Sequence, residues 1–239
     1  MEKYANTFMV LAYFFVAKGI IKDMDEIIFV DKPAGISSFG AVARVRRVLS
    51  AQAGHRVKVG HTGTLDPFAT GLLILLAGKA TKKAPEFSKL DKVYEATIRL
   101  GATSTTGDPE GEIQEKVAKP NLTRTEIKIA LQKFVGEITQ TPPAFSAIKI
   151  NGQRAYKLAR QGKTVEMPSR QVQIFSIDIL SYDSPELKIR THVSSGTYIR
   201  SLAQDLGEVL GCGAYLTALR RTKIANYDIS ALPLFDLPA

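Results

Sequence analysis

The sequence is poor in the residues from which disulfides and metal centres are made. It has a single cysteine, Cys212, so it cannot form an internal disulfide, and such chains are typical of the reducing cytosol. Its three histidines are His55, His61 and His192, and none stands at the spacing of a metal-binding motif. The sequence therefore predicts a cytoplasmic protein without a metal site.

Two common catalytic motifs are also missing. A phosphate-binding P-loop would need a glycine five positions before Gly78 and a serine or threonine after Lys79, but Leu73 and Ala80 stand there. The Gly-x-Ser-x-Gly motif of many serine hydrolases is absent as well. An enzyme built on this chain is therefore expected to work without a cofactor, using carboxylate, arginine, tyrosine and histidine side chains.

Acidic residues are in deficit. Lys and Arg number 32 against 23 Asp and Glu, which gives a net charge of +9 and a pI near 9.6. Such an excess is typical of proteins that bind a polyanion, either nucleic acid or an anionic membrane surface. The hydrophobic content of 45% is an ordinary globular value. A length of 239 residues then predicts one large folded domain or two small ones.

The N-terminus lacks a full signal-peptide pattern, although residues 7–17 form an apolar run. The run has the length of a signal-peptide core and is too short to span a bilayer easily. The six residues before it are not clearly positive, and no convincing cleavage site follows. A signal peptide is one interpretation. The favoured one is that translation begins at Met24, with residues 1–23 an extension outside the folded protein.

Hydrophobic periodicity predicts an irregular mixture of strands and helices. Strands are predicted at residues 26–30, 94–100, 147–150, 171–182, 186–193 and 224–229. Helices are predicted after a cap at Ser37 or Ser38, after the capping box Thr123–Glu126, in a short basic segment ending at Gly162, after a cap at Thr197, and at residues 214–221. Several connections are predicted to be antiparallel, so the expected fold class is α+β.

The densest group of unusual residues is Gly60-His-Thr-Gly-Thr-Leu-Asp-Pro-Phe-Ala-Thr-Gly71. Its glycines let backbone come close to a ligand, and Pro67 favours an extended conformation at Asp66. On its own, an Asp-Pro pair in a glycine-rich loop is most often a turn. The motifs elsewhere in the chain change that interpretation.

Six motifs stand in order along the chain. They are Asp31-Lys-Pro-Ala-Gly-Ile-Ser-Ser38, the loop motif of residues 60–71, Lys92-x-Tyr-Glu95 with Leu100-Gly101, Thr141-Pro-Pro-x-x-Ser-Ala147 with Gly152, Ala155-Tyr156 and Ala159-Arg160, Ser195-Gly-Thr-Tyr-Ile-Arg-Ser-Leu-Ala-x-Asp-Leu-Gly207, and Leu219-Arg-Arg-Thr222. In sequence and spacing they resemble the TruB-type tRNA pseudouridine-55 synthases. The resemblance covers residues 27–227.

The chain departs from that family in two places. Residues 104–106 read Ser-Thr-Thr where the family commonly has Thr-Asp-Thr, although Gly107-Asp108 and Gly111 remain. The chain also ends at Ala239, where longer relatives continue into an RNA-binding domain of the PUA type. The expected organisation is a catalytic domain at residues 24–230 and a tail at residues 231–239, with no PUA domain.

The resemblance implies a fold and a reaction. The fold is the pseudouridine synthase catalytic fold, a mixed and mainly antiparallel central sheet flanked by helices, with an RNA-gripping insertion. The reaction is the cofactor-free isomerisation of the uridine at position 55, in the T-loop of tRNA, to pseudouridine. The expected partner is the T-arm of tRNA, for a monomer that needs neither a protein partner nor a membrane.

The resemblance also implies roles for particular residues. Asp66 is the catalytic carboxylate, which either attacks the nucleotide or supports departure of the uracil electrostatically. Arg200 pairs with Asp66 and keeps it ionised, and Tyr94 stacks on the target base and takes part in proton transfer. The residues implied in substrate binding are His61, Tyr198, Leu219, Lys32, Lys82, Arg154 and Arg160.

Two other functions stay open at this point. A guide-RNA-dependent relative acts on ribosomal RNA, but it relies on its PUA domain and on protein partners. A non-catalytic tRNA-folding chaperone would have no need of Asp66. The presence of Asp66, Tyr94 and Arg200 together argues against a role in binding alone.

Overall fold

The computed structural model describes residues 25–117, 120–146, 148–150, 152–162 and 166–238, without the side chain of Arg160. The extension expected at residues 1–23 lies outside this range. The described chain divides into two compact units. Unit 1 contains residues 25–90 and 221–238, and unit 2 contains residues 91–220. Among the described helices, none is long and apolar enough to cross a lipid bilayer.

The helices and strands follow one another irregularly, as expected for an α+β chain. Up to residue 90 they are β1 Ile27–Lys32, α1 Ser38–Ala53, β2 Val59–His61, β3 Thr70–Ala77, a 3-10 helix Gly78–Lys83 and α2 Ala84–Ser88. They continue with β4 Lys92–Leu100, β5 Ala102–Ser104, β6 Ile113–Glu115, α3 Arg124–Gln132, β7 Gly136–Gln140, β8 Lys149–Ile150, β9 Gln153–Arg154 and α4 Ala155–Arg160. The last are β10 Arg170–Asp183, β11 Glu186–Val193, α5 Ile199–Val209, β12 Ala214–Ile224, β13 Tyr227–Asp228 and a 3-10 helix Ile229–Ala231.

Unit 1 is built around β3. This strand pairs antiparallel with β1 and β2, and the last residues of β12 flank it. Residues 71–77 of β3 are all buried, because both faces of the strand are covered. Leu73 and Leu75 pack with the buried side of α1, and Leu72 and Ile74 pack with Phe87 of α2. A strand covered on both faces is a rigid support for the loop that precedes it.

Unit 2 contains a sheet with the strand order β12-β4-β11-β10-β7. The ladders of β4 with β11, β11 with β10 and β10 with β7 are antiparallel. Residues of β4 alternate between buried and half-buried positions, so the predicted common face of Tyr94, Ala96, Ile98 and Leu100 is confirmed. The capping box at Thr123 and Glu126 is confirmed at the start of α3.

Two predicted elements are wrong near the C-terminus. Residues 214–221, predicted as a helix, lie in strand β12. The strand predicted at residues 224–229 is reduced to β13, which pairs with the end of β12. The cap predicted at Thr197 is also wrong, because α5 is capped by Tyr198 without a side-chain hydrogen bond. Ala, Leu and Arg favour helices locally, but pairing with neighbouring strands overrides that preference at β12.

Candidate active site

Asp66 lies in unit 1, on the loop that joins β2 to β3. It is half-buried, between the buried side chains of Leu65 and Ala69. The Ala69 amide donates a hydrogen bond of 3.1 Å to the Asp66 carbonyl, which closes a turn around Asp66 and Pro67. The loop therefore leaves the Asp66 side chain partly accessible while it fixes the backbone on either side.

The start of α1 fixes the residue before Asp66. Ser38 is buried, its hydroxyl donates to the Leu65 carbonyl at 2.9 Å, and the same oxygen accepts from the Leu65 amide at 2.8 Å. Ser37 caps the helix by accepting from the Gly40 amide at 3.0 Å, as predicted. Ser37 thus caps the start of the helix, and Ser38 attaches the helix to the loop.

Lys32 joins the first two sequence motifs from inside the protein. Its side chain is fully buried, and its Nζ atom donates to the carbonyls of Pro33 and Ile36 at 2.8 Å and of Pro67 at 3.3 Å. A buried ammonium group needs such acceptors because they replace its lost hydration. The role that the structure shows for Lys32 is to hold the loop backbone. Its part in substrate binding stays a prediction.

Arg221 is an anchor of the same loop that the sequence reasoning missed. It is 1% exposed, and it donates from Nε to the Leu72 carbonyl at 2.7 Å and from Nη2 to the Gly63 carbonyl at 3.1 Å. Gly71 lies close to the backbone of Arg221, so that a Cβ atom on Gly71 would be 2.3 Å from the Arg221 carbonyl oxygen. The signal in the sequence was the arginine pair of the last motif, which carried no indication of its partners.

His61 ends β2 at the edge of the Asp66 loop. Its ring meets the exposed ring of Phe39 edge to face, with the centroids 5.0 Å apart. Lys82 is exposed in the 3-10 helix Gly78–Lys83. Unit 1 thus carries four of the predicted site residues: Lys32, His61, Asp66 and Lys82.

Arg200 lies in unit 2 and is 4% exposed. Its Nη1 atom donates to the Thr106 carbonyl at 3.0 Å and lies 3.3 Å from Oδ2 of Asp108, while Nη2 donates to the Phe145 carbonyl at 2.8 Å. Asp108 is also buried, so the two form a buried ion pair. The guanidinium plane is therefore held in one orientation by groups from two loops.

The loop that holds Arg200 is the one that departs from the family pattern. The Thr106 hydroxyl donates to Oδ1 of Asp108 at 2.5 Å, and the Ser104 hydroxyl donates to the Asp108 carbonyl at 2.6 Å. A Cβ atom on Gly111 would come within 2.5 Å of both hydroxyl oxygens, so this position needs glycine. Sequence reasoning noted that Asp108 was retained, but it did not connect Asp108 with Arg200.

Tyr198 is held by two residues that sequence reasoning also missed. The Tyr198 amide donates to Oε1 of Gln140 at 2.7 Å, and Nε2 of Gln140 donates back to the Tyr198 carbonyl at 3.0 Å. The guanidinium carbon of Arg170 lies 4.9 Å from the centre of the Tyr198 ring. Gln140 and Arg170 are partners in the ladder of β7 with β10. This strand pair therefore fixes both the backbone and the ring of Tyr198.

The remaining predicted residues of unit 2 divide by exposure. Tyr94 on β4 and Leu219 on β12 are buried, at 8% and 7% exposure. Arg154 is exposed at the end of β9, where β8 and β9 form a small separate hairpin. Arg160 belongs to α4, and its side chain lies outside the described part of the structure.

The basic helix predicted before Gly162 is confirmed by α4.

One carboxyl group in unit 2 has a strongly shifted pKa. Partial burial and, to a smaller extent, the nearby Glu208 carboxylate together raise the pKa of Asp205 on α5 to about 6. Among the described residues, no group of His, Cys, Asp and Glu side chains could hold a metal ion.

Comparison with known protein families decides the identity of the fold. Residues 46–199 match the N-terminal domain of the TruB family pseudouridylate synthases, which is more than half of the chain. The chain belongs to the TruB family. Residues 200–239 match a second domain of the same family, described as the tRNA pseudouridylate synthase B C-terminal domain. The TruB N-terminal match contains Asp66 and Asp108, and the C-terminal match begins at Arg200.

Individual TruB relatives agree with this assignment. The chain is 47% identical to tRNA pseudouridine synthase B of Endomicrobium trichonymphae over 87% of this chain and 88% of the relative. It is 46% identical to the protein of that name in Phocaeicola vulgatus over 84% of this chain and 86% of the relative.

A solved structure agrees in fold. The Cbf5-Nop10-Gar1 complex contains a chain that superposes with a TM-score of 0.66 at 28% identity, covering 86% of this chain. This chain spans half the length of that one. The expected pseudouridine synthase fold, α+β with a mainly antiparallel sheet, is thereby confirmed.

Proposed function

We propose that this TruB-family enzyme converts the uridine at position 55, in the T-loop of tRNA, to pseudouridine, with Asp66 as the catalytic carboxylate. The observation that carries the proposal is the way the Asp66 loop is fixed by Ser38, Lys32 and Arg221 while Asp66 stays partly accessible. A carboxylate on a preorganised loop is what a cofactor-free isomerisation needs. The relatives named tRNA pseudouridine synthase B support tRNA as the substrate.

The reaction gains and loses no atoms overall. The uridine is first flipped out of the folded loop so that its ribose and base reach Asp66. The bond between C1′ and N1 then breaks, while the carboxylate either attacks the nucleotide or stabilises the charge electrostatically. The detached base turns, and C1′ bonds to C5; if the carboxylate has attacked, its bond to the nucleotide breaks and Asp66 is regenerated. C5 then gives up a proton while N1 gains one. Both interpretations of Asp66 require it to be ionised.

Residues of unit 2 complete the proposed mechanism. Arg200 is proposed to pair with Asp66 and keep it ionised, and its support by Asp108 and Thr106 suits that role because it fixes the guanidinium. Tyr94 is proposed to stack on the base and take part in proton transfer, while Tyr198 and Leu219 line the pocket. The clamp of Gln140 on Tyr198 supports a fixed pocket wall.

Binding of the T-arm is proposed to rest on basic and aromatic side chains, because phosphate contacts dominate the affinity of proteins for RNA. The residues concerned are His61, Lys82, Arg154 and Arg160. Lys32 is buried, so it is proposed to contribute indirectly, by holding the Asp66 loop. The proposal includes a monomer in the cytoplasm, with a catalytic domain at residues 24–230 and no obligate protein partner or cofactor.

The test is turnover by purified protein on a T-arm stem-loop transcript, measured by release of tritium from C5 of uridine. Asp66→Asn is expected to abolish turnover and to leave RNA affinity within roughly tenfold of wild type, since the phosphate contacts remain. The exposed Asp178 on β10 provides the matched control, and Asp178→Asn should turn over normally. Measurable turnover by Asp66→Asn would contradict the proposal. RNA binding by wild type without any conversion would favour a folding chaperone.

A further inference from the structure

The outward side of α1 begins with an unusually exposed aromatic ring. Phe39 is 70% exposed, the highest value for a large hydrophobic side chain among the described residues. Its ring touches His61 edge to face, and His61 opens the loop that carries Asp66. A phenylalanine in this position gains little from the core, whereas an open aromatic face next to a catalytic loop can stack on a base.

The helix continues this surface with arginines. The buried side of α1 is formed by Ser38, Ala41, Val42, Val45 and Leu49. A step of about 100° per residue places Arg46 on the same side as Phe39, two turns and about 10 Å further along, with Arg47 next to it. We call Phe39, Arg46 and Arg47 the α1 face. Arg56 and Lys58, both exposed, follow shortly after the helix.

The sequence segment that contains the α1 face carries charge of one sign only. Residues 32–65 contain six Lys and Arg and no Asp or Glu. Within the described residues, no ion pair joins Arg46 or Arg47 to an acidic side chain. Solvent-exposed helix faces usually interleave both signs, because opposite charges one turn apart stabilise the helix. A helix without them favours a polyanionic partner.

We propose that the α1 face binds the RNA strand beside the uridine that enters the Asp66 site. Phe39 stacks on an unpaired base of the loop, and Arg46 and Arg47 contact phosphates of the same strand. Alternation of an aromatic platform with cations is the usual way in which proteins hold single-stranded or looped RNA. This inference rests on the proposed function, because it takes the strand to be that of the T-arm.

RNA suits this surface better than a membrane does. A helix that lies on a lipid surface presents a whole apolar face to the acyl chains. The outward side of α1 offers one large apolar ring, Phe39, and the other positions on that side are Ala43, Arg46, Arg47 and Ser50. A single ring with two arginines matches one base and its neighbouring phosphates.

The experiment compares variants of the α1 face with matched variants of α3. Phe39→Ala, Phe39→Tyr and the double variant Arg46→Gln/Arg47→Gln are measured for binding to the T-arm stem-loop at several salt concentrations. One control on α3 is Ile129→Ala, which removes another exposed apolar side chain (56% exposed). The other is Lys128→Gln/Lys133→Gln, which removes one exposed charge from α3 and one from the residue that caps its C-terminal end. Turnover by wild type on the same RNA is measured alongside.

The expected result is specific for each variant. Phe39→Ala weakens binding about tenfold and Phe39→Tyr restores it, since a tyrosine ring also stacks. Removal of Arg46 and Arg47 lowers the slope of log affinity against log salt by about 1 to 2, because two phosphate contacts are lost. The two α3 controls keep the affinity and salt slope of wild type. Thermal unfolding, which Phe39→Ala should leave unchanged, verifies that the variants are folded.

Each contrary outcome has a definite meaning. If wild type converts the uridine while Phe39→Ala and Ile129→Ala bind RNA equally well, the inference is overturned and the proposed function stands. If wild type converts no uridine but the variants of the α1 face still lose RNA affinity, the proposed function fails and the inference that the α1 face binds RNA stands. Binding of wild type to phosphatidylglycerol vesicles that is lost in Phe39→Ala, with RNA affinity unchanged, would overturn the inference in favour of a membrane.

Discussion

Three buried cations, Lys32, Arg200 and Arg221, each donate hydrogen bonds to backbone carbonyls of nearby loops. A buried charge is tolerated when such acceptors or an opposite charge replace water. Arginine suits the last two positions because one planar fork can reach two loops at once. These three buried charges therefore also fix the geometry of the backbone segments that they contact.

The ion pair of Arg200 with Asp108 leads to the first prediction. Asp108→Asn removes the negative charge beside a buried guanidinium, so unfolding free energy should fall by about 3 kcal/mol. Turnover should fall about a hundredfold, or about 2.7 kcal/mol of transition-state stabilisation, if the orientation of Arg200 matters to Asp66. Urea unfolding and single-turnover tritium release measure the two effects.

Glu112→Gln is the matched control for that prediction. Glu112 belongs to the same loop and is exposed. Its hydrogen bonds in the described structure are made by its backbone, whose amide donates to the Thr105 hydroxyl and whose carbonyl accepts from the Thr105 amide. Stability and turnover of Glu112→Gln should equal those of wild type. Normal turnover by Asp108→Asn would show that Asp108 has no part in positioning Arg200.

Sequence motifs indicated Arg200, whose functional role stays a prediction, but they did not predict the residues that support it. Asp108, Gln140 and Arg170 act through partners that are distant in the chain; Gln140, for example, is 58 residues from Tyr198. Arg221 is 149 residues from the carbonyl of Leu72. A single sequence shows which side chains are present, and only the fold shows which of them meet.

Among the elements, α1, α3 and the alternating strand β4 were predictable because their hydrophobic periodicity and caps agree. Strand β12 was not, because its Ala, Leu and Arg residues favour a helix when they are considered alone. Its strand conformation follows from pairing with neighbouring strands, a tertiary cause that local periodicity does not contain.

The close approach of β3 to β12 leads to a second prediction. Gly71 has a φ of +102°, and a Cβ atom there would lie 2.3 Å from the Arg221 carbonyl oxygen. Gly71→Ala must therefore push the strands apart, and it should cost at least about 3 kcal/mol of unfolding free energy. Thermal unfolding with urea titration measures this loss.

Gly60 provides the comparison within the same loop motif, since a Cβ atom on Gly60 meets nothing within 4 Å. Gly60→Ala should change the unfolding free energy by less than about 1 kcal/mol. Equal stabilities of Gly60→Ala and Gly71→Ala would mean that β12 does not approach β3 as closely as described.

For the molecule as a whole, Asp205 makes stability depend on pH. Burial raises its pKa to about 6, with Glu208 as the smaller cause, so the folded state favours the neutral carboxyl. The resulting penalty is absent below the ordinary pKa of about 4 and complete above about 6. Asp205→Asn should therefore stabilise the protein at pH 7.5 relative to pH 4.5. The gain is about 1 kcal/mol, since the group is half-exposed and partly screened.

Chemical unfolding at the two pH values tests this prediction, and Glu208→Gln is the companion variant. Because Glu208 contributes the smaller part of the shift, Glu208→Gln should give a smaller gain of the same sign. A stability difference between Asp205→Asn and wild type that stays constant from pH 4.5 to pH 7.5 would contradict the predicted titration.

The division of unit 1 into two stretches of chain has a consequence for the newly made protein. Arg221 is synthesised 149 residues after Leu72, whose carbonyl it holds. At ribosomal speeds of 5–20 residues per second, the Asp66 loop waits about 7 to 30 seconds for this anchor. Unit 2 is complete by then, since all its residues are made first. We therefore expect the Asp66 loop of the growing polypeptide to lack its Arg221 anchor until the last part of unit 1 has been made.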